Sequence, residues 1–160
     1  VNTLRGCVYR SLVTGEVHML NVAMRMGRGG STLDNEGAGG IAVRVDDQGT
    51  VNDYGVEKHG QKFHEHPDTH VRLADLPPIP HFDSLRELAV RMARETHTSR
   101  LISLDMCLDD RDRWIVLELN MRAQSIRFCQ YAGVPFFEPF TDEVRDYCAS
   151  HPPYEPRGAG

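Results

Sequence analysis

Apolar and polar residues alternate over much of the first 56 positions of the chain, which is the pattern of half-buried β-strands. The segments "TLRGCVYRSLV" and "EVHMLNVAMRM" show it, and Thr14-Gly15 between them supplies a turn. "IAVRVD" continues the pattern, and "DDQG" leads into a weaker strand, "TVNDYGV". The first third of the chain therefore predicts a β-hairpin followed by two further strands.

A helical period is clearest in "DSLRELAVRMARETH", with Asp83 as the candidate N-cap and an apolar stripe of Leu85, Leu88, Ala89 and Met92. "RLISLDMCL", "DDRD" and "RWIVLELN" then predict a second hairpin, and "AQSIRFCQYAG" and "TDEVRDYCASH" predict short helices. Strands do not alternate regularly with helices, so a parallel sheet is disfavoured. We predict an α+β fold with a mainly antiparallel sheet and helices packed on one face. We also expect residues 1–150 to form a single domain and residues 151–160 to form a flexible tail.

Composition narrows the possible environments and partners. The chain has 160 residues, a formal charge of −5 and 40% hydrophobic residues, so it can bury a core and lacks the basic surface of a nucleic-acid binder. No apolar run is long enough to cross a bilayer, and the four dispersed cysteines suggest a reducing cytoplasm. Because the sequence opens at Val1 on strand-like residues, we expect it to be a fragment of a longer chain. A cleft face left exposed by a missing subdomain would favour pairing of two copies, so a homodimer is also expected.

The second hairpin carries the first chemical signal. If its turn spans 110–113, Asp109 pairs with Trp114, Cys107 faces Val116 and Asp105 faces Glu118. Asn120 leaves the strand on the same side as Glu118, because strand side chains alternate between faces. Two facing carboxylates and an amide offer the oxygen ligands that Mg²⁺ prefers. The plain alternative is that these are solvated side chains on an exposed face, or that the register is shifted by one residue.

A glycine-rich segment, "GRGGSTLDNEGAGG", follows the first hairpin. It matches neither the Walker A pattern nor the dinucleotide-binding fingerprint, so by itself it indicates only a loop whose backbone can approach a ligand closely. Its setting adds meaning, since Arg5 and Arg25 lie on the flanking strands and Asn35 lies within the loop. An arginine suits a phosphate or carboxylate because its planar fork donates two parallel hydrogen bonds.

The order of these motifs resembles the C-terminal half of the ATP-grasp ligases, the superfamily of D-alanine–D-alanine ligase, glutathione synthetase and the glutamate ligases that modify ribosomal protein. Within it, the chain is most similar to the sugar-transfer-associated ATP-grasp proteins. The resemblance covers about residues 1–140, through "VNTLR", "MRMGRGGSTLDNEGAGGIAVRVD", "HPDT", "IP", "LISLDMCL" and "LELN".

The resemblance implies an ATP- and Mg²⁺-dependent carboxylate–amine or carboxylate–thiol ligase that acts through an acyl phosphate on a small-molecule or peptide substrate. It implies that Arg5 and Arg25 are catalytic, and that the Mg²⁺ ligands bridging the ATP phosphates are Asp105, Glu118 and Asn120. It also implies that Asn35, Gly39 and Gly40 belong to the loop that contacts phosphate or acceptor. The family's N-terminal lysines have no counterpart here, so the chain is expected to carry half of the site.

Three other interpretations remain open. His64, His66 and His70 lie within the window "HEHPDTH", which is rich enough in histidine to suggest a metal such as Zn²⁺. A metal-dependent nuclease also places an acid on one strand and an E-x-polar pair on the next, although lysine is usual where Asn120 stands. Finally, a non-catalytic binding module could keep an ATP-grasp core without turnover.

Overall fold

The computed structural model describes residues 2–29, 40–122 and 133–151. Its centre is one seven-stranded sheet in the order β5-β4-β3-β2-β1-β6-β7, and every neighbouring pair is antiparallel. The strands are β1 Thr3–Arg10, β2 Val17–Met26, β3 Ile41–Val45, β4 Val51–Val56, β5 Lys62–Phe63, β6 Leu101–Leu108 and β7 Trp114–Asn120; the helices are α1 Phe82–Glu95 and α2 Thr141–Ser150. The predicted α+β class and mainly antiparallel sheet are confirmed.

One side of the sheet, the helix face, packs against α1. Alternate residues of each strand point to it, and Leu85 and Ala89 of α1 are fully buried against them. Complete burial of a leucine stabilises the fold by about 1.5–3 kcal/mol. The strand residues of this apolar core include Leu4, Val8, Val22, Met24, Ile41, Val43, Ile102, Leu104 and Met106.

Leu85, Ala89 and Met92 of the predicted apolar stripe of α1 pack in the core, whereas Leu88 is only half buried. The prediction of Asp83 as the N-cap was wrong. The helix starts two residues earlier, with His81 as the N-cap in a left-handed conformation (φ 53°) and with no side-chain cap. Asp83 lies in the first turn instead, where its negative charge faces the positive end of the helix dipole. The indole nitrogen of Trp114 donates to the carbonyl oxygens of Pro80 and His81, which fixes this entry to the sheet.

The second hairpin has a different register near its turn from the one predicted. Leu108, not Asp109, pairs with Trp114, and Cys107 faces Ile115 instead of Val116. A bulge between Asp105 and Met106 then takes up one extra residue on β7. Beyond the bulge Asp105 pairs with Glu118, as predicted, so one irregularity compensates for the shifted turn.

The opposite side of the sheet, the charged face, is covered at one end by residues 133–151. Glu143 of α2 accepts hydrogen bonds from the Tyr9 hydroxyl (2.7 Å), the Ser11 hydroxyl (3.1 Å) and the Leu12 amide (2.9 Å). The side chain of Tyr9 points to the charged face, so its bond to Glu143 places α2 on that face. Helix α1 therefore covers the helix face, and α2 contacts the charged face. No helix within the described residues is long and apolar enough to cross a membrane.

Residues 57–81, which show no clear period in the sequence, fold into short pieces against the sheet. They include β5, an isolated bridge between Glu65 and Arg72, and a 3-10 turn at Leu73–Asp75. Leu73 is completely buried and belongs to the core under the helix face. The segment therefore packs on the sheet through a few apolar anchors and does not form a large loop.

Candidate functional site

The charged face carries a row of side chains in register across five strands. The pairings are Arg44 with Ala23, Ala23 with Arg5, Arg5 with Asp105, and Asp105 with Glu118. Directly paired residues of antiparallel strands project from the same face with Cβ atoms about 4.5–5.5 Å apart. The sheet therefore brings Arg5 next to Asp105, 100 positions further along the chain, and Asp105 next to Glu118 on the following strand.

Asp105 is the centre of this row and is bound by two arginines. Arg5 donates from Nε to Oδ1 (2.7 Å) and from Nη2 to Oδ2 (2.6 Å), while Arg25 donates from Nη1 to Oδ2 (2.8 Å). The side chain of Asp105 is only 9% exposed, and those of Arg5 and Arg25 are 28% and 13% exposed. This bidentate, charge-assisted geometry is the strongest kind of arginine–carboxylate contact.

Burial and the two arginines act in opposite directions on Asp105. Burial raises the pKa of its carboxyl group, but the hydrogen bonds and positive charges of Arg5 and Arg25 outweigh burial, so the pKa lies below its ordinary value. The same hydrogen bond to Asp105 raises the pKa of the Arg5 guanidinium further, against the effect of burial. Both groups stay charged across the physiological range, and Asp105 fixes the position of the two guanidinium groups.

Glu118 and Asn120 lie on β7, beside the triad formed by Asp105, Arg5 and Arg25. Glu118 is exposed and directly opposite Asp105, and Asn120 is half buried opposite Ser103. Sequence reasoning missed Ser103, although it precedes Asp105 by two positions and so must share its face. Its hydroxyl is buried and makes no hydrogen bond with the described part of the chain.

The donor set fits the Mg²⁺ ion that the resemblance implies. It consists of two carboxylates and one amide, all oxygen donors, on one face of adjacent strands. Oδ1 of Asp105 accepts one hydrogen bond, from Arg5, so a carboxylate oxygen with two acceptor positions keeps one for a further ligand. No group of three or more His, Cys, Asp or Glu side chains within the described ranges is arranged to hold a metal ion, and this set contains two such residues.

Of the predicted glycine-rich loop, Asn35 and Gly39 lie outside the described residues, and Gly40 is buried immediately before β3. The stem that enters the loop is held by the turn at 66–70. His66 Nε2 contacts the carbonyl oxygen of Gly27 (2.9 Å), and an Asp68 carboxylate oxygen accepts from the Gly29 amide (2.6 Å).

The hydrogen bonds of His66 define its role. Its Nδ1 accepts from the amides of Asp68 and Thr69 (3.3 Å each), so Nε2 must carry the proton donated to Gly27. His66 is 94% buried, whereas His64 and His70 are exposed. The interpretation of these three histidines as a metal site therefore finds no support among the described residues. The turn instead fixes the backbone next to Arg25, a positioning role that the histidine count alone did not indicate.

Comparison with known proteins gives one match. The family model for sugar-transfer associated ATP-grasp proteins matches residues 1–144. No curated protein and no solved structure matches the chain.

Proposed function

Because the chain belongs to the sugar-transfer-associated ATP-grasp family, we propose that its charged face is the phosphate- and metal-binding side of an ATP-dependent carboxylate ligase. Membership of the family implies ATP binding. The observation that supports the site is the triad of Asp105 with Arg5 and Arg25, placed in register with Glu118. It holds two fixed guanidinium groups next to oxygen donors, which is what a polyphosphate and its cation require.

In the proposed reaction the charges of the triad stabilise a transferring phosphoryl group. A substrate carboxylate oxygen attacks the γ-phosphorus of ATP, the bond to the bridging oxygen breaks, and ADP leaves. An amine or thiol then attacks the acyl carbon, inorganic phosphate leaves, and the nucleophile loses its proton. Phosphoryl transfer depends mainly on positioning and charge neutralisation. Because Asp105 already orients the two arginines, no free energy is needed to reorient them at the transition state.

Each residue has a distinct part in this proposal. Arg5 and Arg25 contact the phosphoryl oxygens and keep the reacting groups in line. Asp105, Glu118 and Asn120 would hold Mg²⁺, which when bound supplies positive charge to neutralise the phosphates. The turn containing His66 positions the stem of the glycine-rich loop, and the proposed substrates are a small-molecule or peptide carboxylate and an amine or thiol.

The test uses the full-length protein. Binding of a non-hydrolysable ATP analogue is measured by calorimetry with and without Mg²⁺. ATP, Mg²⁺, a panel of small carboxylic acids and hydroxylamine are then incubated together, because hydroxylamine converts an acyl phosphate into a stable hydroxamate. We expect Mg²⁺-dependent binding, and hydroxamate together with ADP for at least one acid.

Variants at Arg5, Glu118 and Asp105 test the role of each residue, and a variant of an exposed arginine serves as the control. Arg5→Gln is expected to lower kcat about 100-fold, since it removes a donor to developing charge. Glu118→Gln is expected to weaken Mg²⁺-dependent nucleotide binding, while Arg145→Gln on exposed α2 leaves both unchanged. Nucleotide binding without ADP formation for any acid would favour the non-catalytic module. Unchanged nucleotide binding in both Asp105→Asn and Glu118→Gln would refute the metal assignment.

A further inference from the structure

A cavity of about 390 Å³ lies at the edge of β2, and it is lined by none of the residues that the proposed reaction above uses. It forms where β3 ends at Val45, so that in the part of the chain that the structure describes the first half of β2 has no strand partner on that side. The segment 134–138, the start of α1 and the turn after β3 enclose it. Its charged lining residues are Arg44, Arg86, Asp46, Asp47 and Glu138.

Three of these charged residues, Arg44, Asp46 and Glu138, are half buried, and Arg44 and Glu138 differ from Asp46 in their contacts. Neither side chain makes a hydrogen bond or an ion pair of 4.0 Å or less with any other described residue. By contrast, Asp46 Oδ1 accepts from the amides of Gln48 (2.9 Å) and Thr50 (2.7 Å), and Arg86 donates to the backbone carbonyl oxygen of Asp47 (3.2 Å). The side chains of Asp47 and Arg86 are exposed. Arg44 and Glu138 therefore influence each other only at longer range. A half-buried charge without a hydrogen-bonded partner is costly, so this pair of opposite sign in one cavity suits a ligand that bears both charges.

Glu138 shows two further signs of a constrained site. Its φ is 45°, in the left-handed region that a glutamate rarely adopts, and residues held in this way cluster at binding sites. Partial burial raises the pKa of its carboxyl group, Arg44 lowers it, and the negative charge of Asp47 raises it again, with a net rise. A bound ammonium group would offset both the burial and the repulsion from Asp47.

The position of Arg44 connects this cavity to the triad. Arg44 pairs with Ala23, which pairs with Arg5, so Arg44 and Arg5 lie in one row with only a methyl side chain between them. Two strand spacings separate their Cα atoms, roughly 10 Å. A single small molecule can therefore reach from Arg44 to the place where Arg5 and Asp105 meet.

We propose that this cavity binds the amino-acid head group of the ligase's carboxylate substrate, with its α-carboxylate on Arg44 and its ammonium on Glu138. The side-chain carboxylate of the same molecule then extends along the row to Arg5. The substrate class is thus an α-amino dicarboxylic acid, free or at the end of a peptide. This assignment rests on the proposed function for the reacting carboxylate, but the head-group site itself needs no nucleotide.

The experiment measures head-group selectivity in the full-length protein, without ATP. L-Aspartate, L-glutamate and L-2-aminoadipate are titrated by calorimetry, because they share the head group and differ only in length. The tightest binder is then compared with two matched compounds. The dicarboxylates succinate, glutarate and adipate lack the amine, and β-alanine, 4-aminobutyrate and 5-aminovalerate lack the α-carboxylate. We expect loss of either group to weaken binding about tenfold or more, since each makes a charge-assisted hydrogen bond.

Variants then assign each half of the head group. In Glu138→Gln, ligands without the amine should bind as tightly as the amino dicarboxylate, while ligands without the α-carboxylate should still bind more weakly. Arg44→Gln should show the reverse. Arg91→Gln and Glu95→Gln, both exposed on α1, should still bind both kinds of incomplete ligand more weakly than the amino dicarboxylate. If none of the three amino dicarboxylates binds, or if both matched compounds bind equally well, the proposal is wrong.

The outcome separates the two proposals. Intact Mg²⁺-dependent nucleotide binding without head-group selectivity would overturn the substrate assignment alone. Head-group selectivity in a protein that binds no nucleotide would overturn the ligase proposal and leave the binding site. The wild-type ligand series does not depend on any variant folding, so the selectivity test stands by itself.

Discussion

The two faces of the central sheet use the same strands for opposite purposes. On the helix face, alternate residues such as Leu104 and Met106 of β6 are fully buried and apolar. On the charged face, Asp105 between them is almost as deeply buried, yet it is ionised and bound by Arg5 and Arg25. Neighbouring positions on one strand therefore experience the same exclusion of water but different chemistry.

The difference lies in what makes burial favourable. Apolar burial gains from removing surface from water and depends on volume, so related apolar residues can replace one another at modest cost. A buried carboxylate gains only when its partners are present in good geometry, and loss of one partner leaves a charge uncompensated. The helix face supplies stability that tolerates repacking, whereas the triad requires particular atoms.

The largest expected effect comes from Asp105→Asn, which breaks the charged face at its centre. The change leaves two arginines without their carboxylate, and breaking a buried ion pair in this way costs about 3–5 kcal/mol of unfolding free energy. Urea denaturation measures the stability, and calorimetry with an ATP analogue and Mg²⁺ measures binding, which should be lost. A stability equal to that of the wild type would show that the triad does not hold these strands together.

Leu104→Ala makes the matched change on the helix face, one residue away. Removal of a completely buried leucine side chain should lower the unfolding free energy by about 3 kcal/mol, through lost burial and a cavity. Nucleotide affinity, measured at a temperature where the variant is folded, should remain that of the wild type. Strongly weakened nucleotide binding in folded Leu104→Ala protein would mean that the two faces are not independent.

The pH dependence sharpens the comparison, because the buried carboxylate found among residues 2–29, 40–122 and 133–151, that of Asp105, lies on the charged face. The arginines lower the pKa of Asp105, so its contribution to stability is fully present above the unfolded pKa of about 3.9 and is lost as pH falls through the lower folded pKa. The free energies of unfolding of the wild-type and Asp105→Asn proteins are compared by urea denaturation from about pH 6 downward. Their stability difference should be constant above about pH 5 and shrink below pH 4.

The sequence allowed prediction of the strands, of α1 and of the residues on the charged face, because periodicity of two assigns Asp105 to one side and Leu104 to the other. It did not allow prediction of the side chains that bind the Asp105 carboxylate. Repulsion between Asp105 and Glu118 suggested a cation, whereas the pairing of β1 with β6 places Arg5 directly opposite Asp105. That pairing joins residues 100 positions apart, and the local pattern of either strand does not specify the register between them.

The cavity at the edge of β2 shows a second limit of local pattern. Arg44 and Glu138 come from segments far apart in sequence, and each by itself is an ordinary charged residue. Only the early end of β3 and the return of the chain at 134–138 make them neighbours. By contrast, the correct pairing of Asp105 with Glu118 was predicted from a wrong turn, since a bulge restored the register.

Tyr9→Phe, the smallest predicted effect, tests whether the charged face itself has two parts. The Tyr9 hydroxyl donates to Glu143 and so attaches α2 to the end of β1 remote from the triad. Burial and this contact raise the pKa of Tyr9 well above its ordinary value, so the hydroxyl remains a donor at any physiological pH. Removing one such hydrogen bond costs about 1 kcal/mol, while Glu143 keeps its bonds from Ser11 and Leu12. Hydrogen exchange of α2 amides should accelerate while nucleotide affinity stays constant; a fall in nucleotide affinity would show that the α2 end and the triad act as one unit.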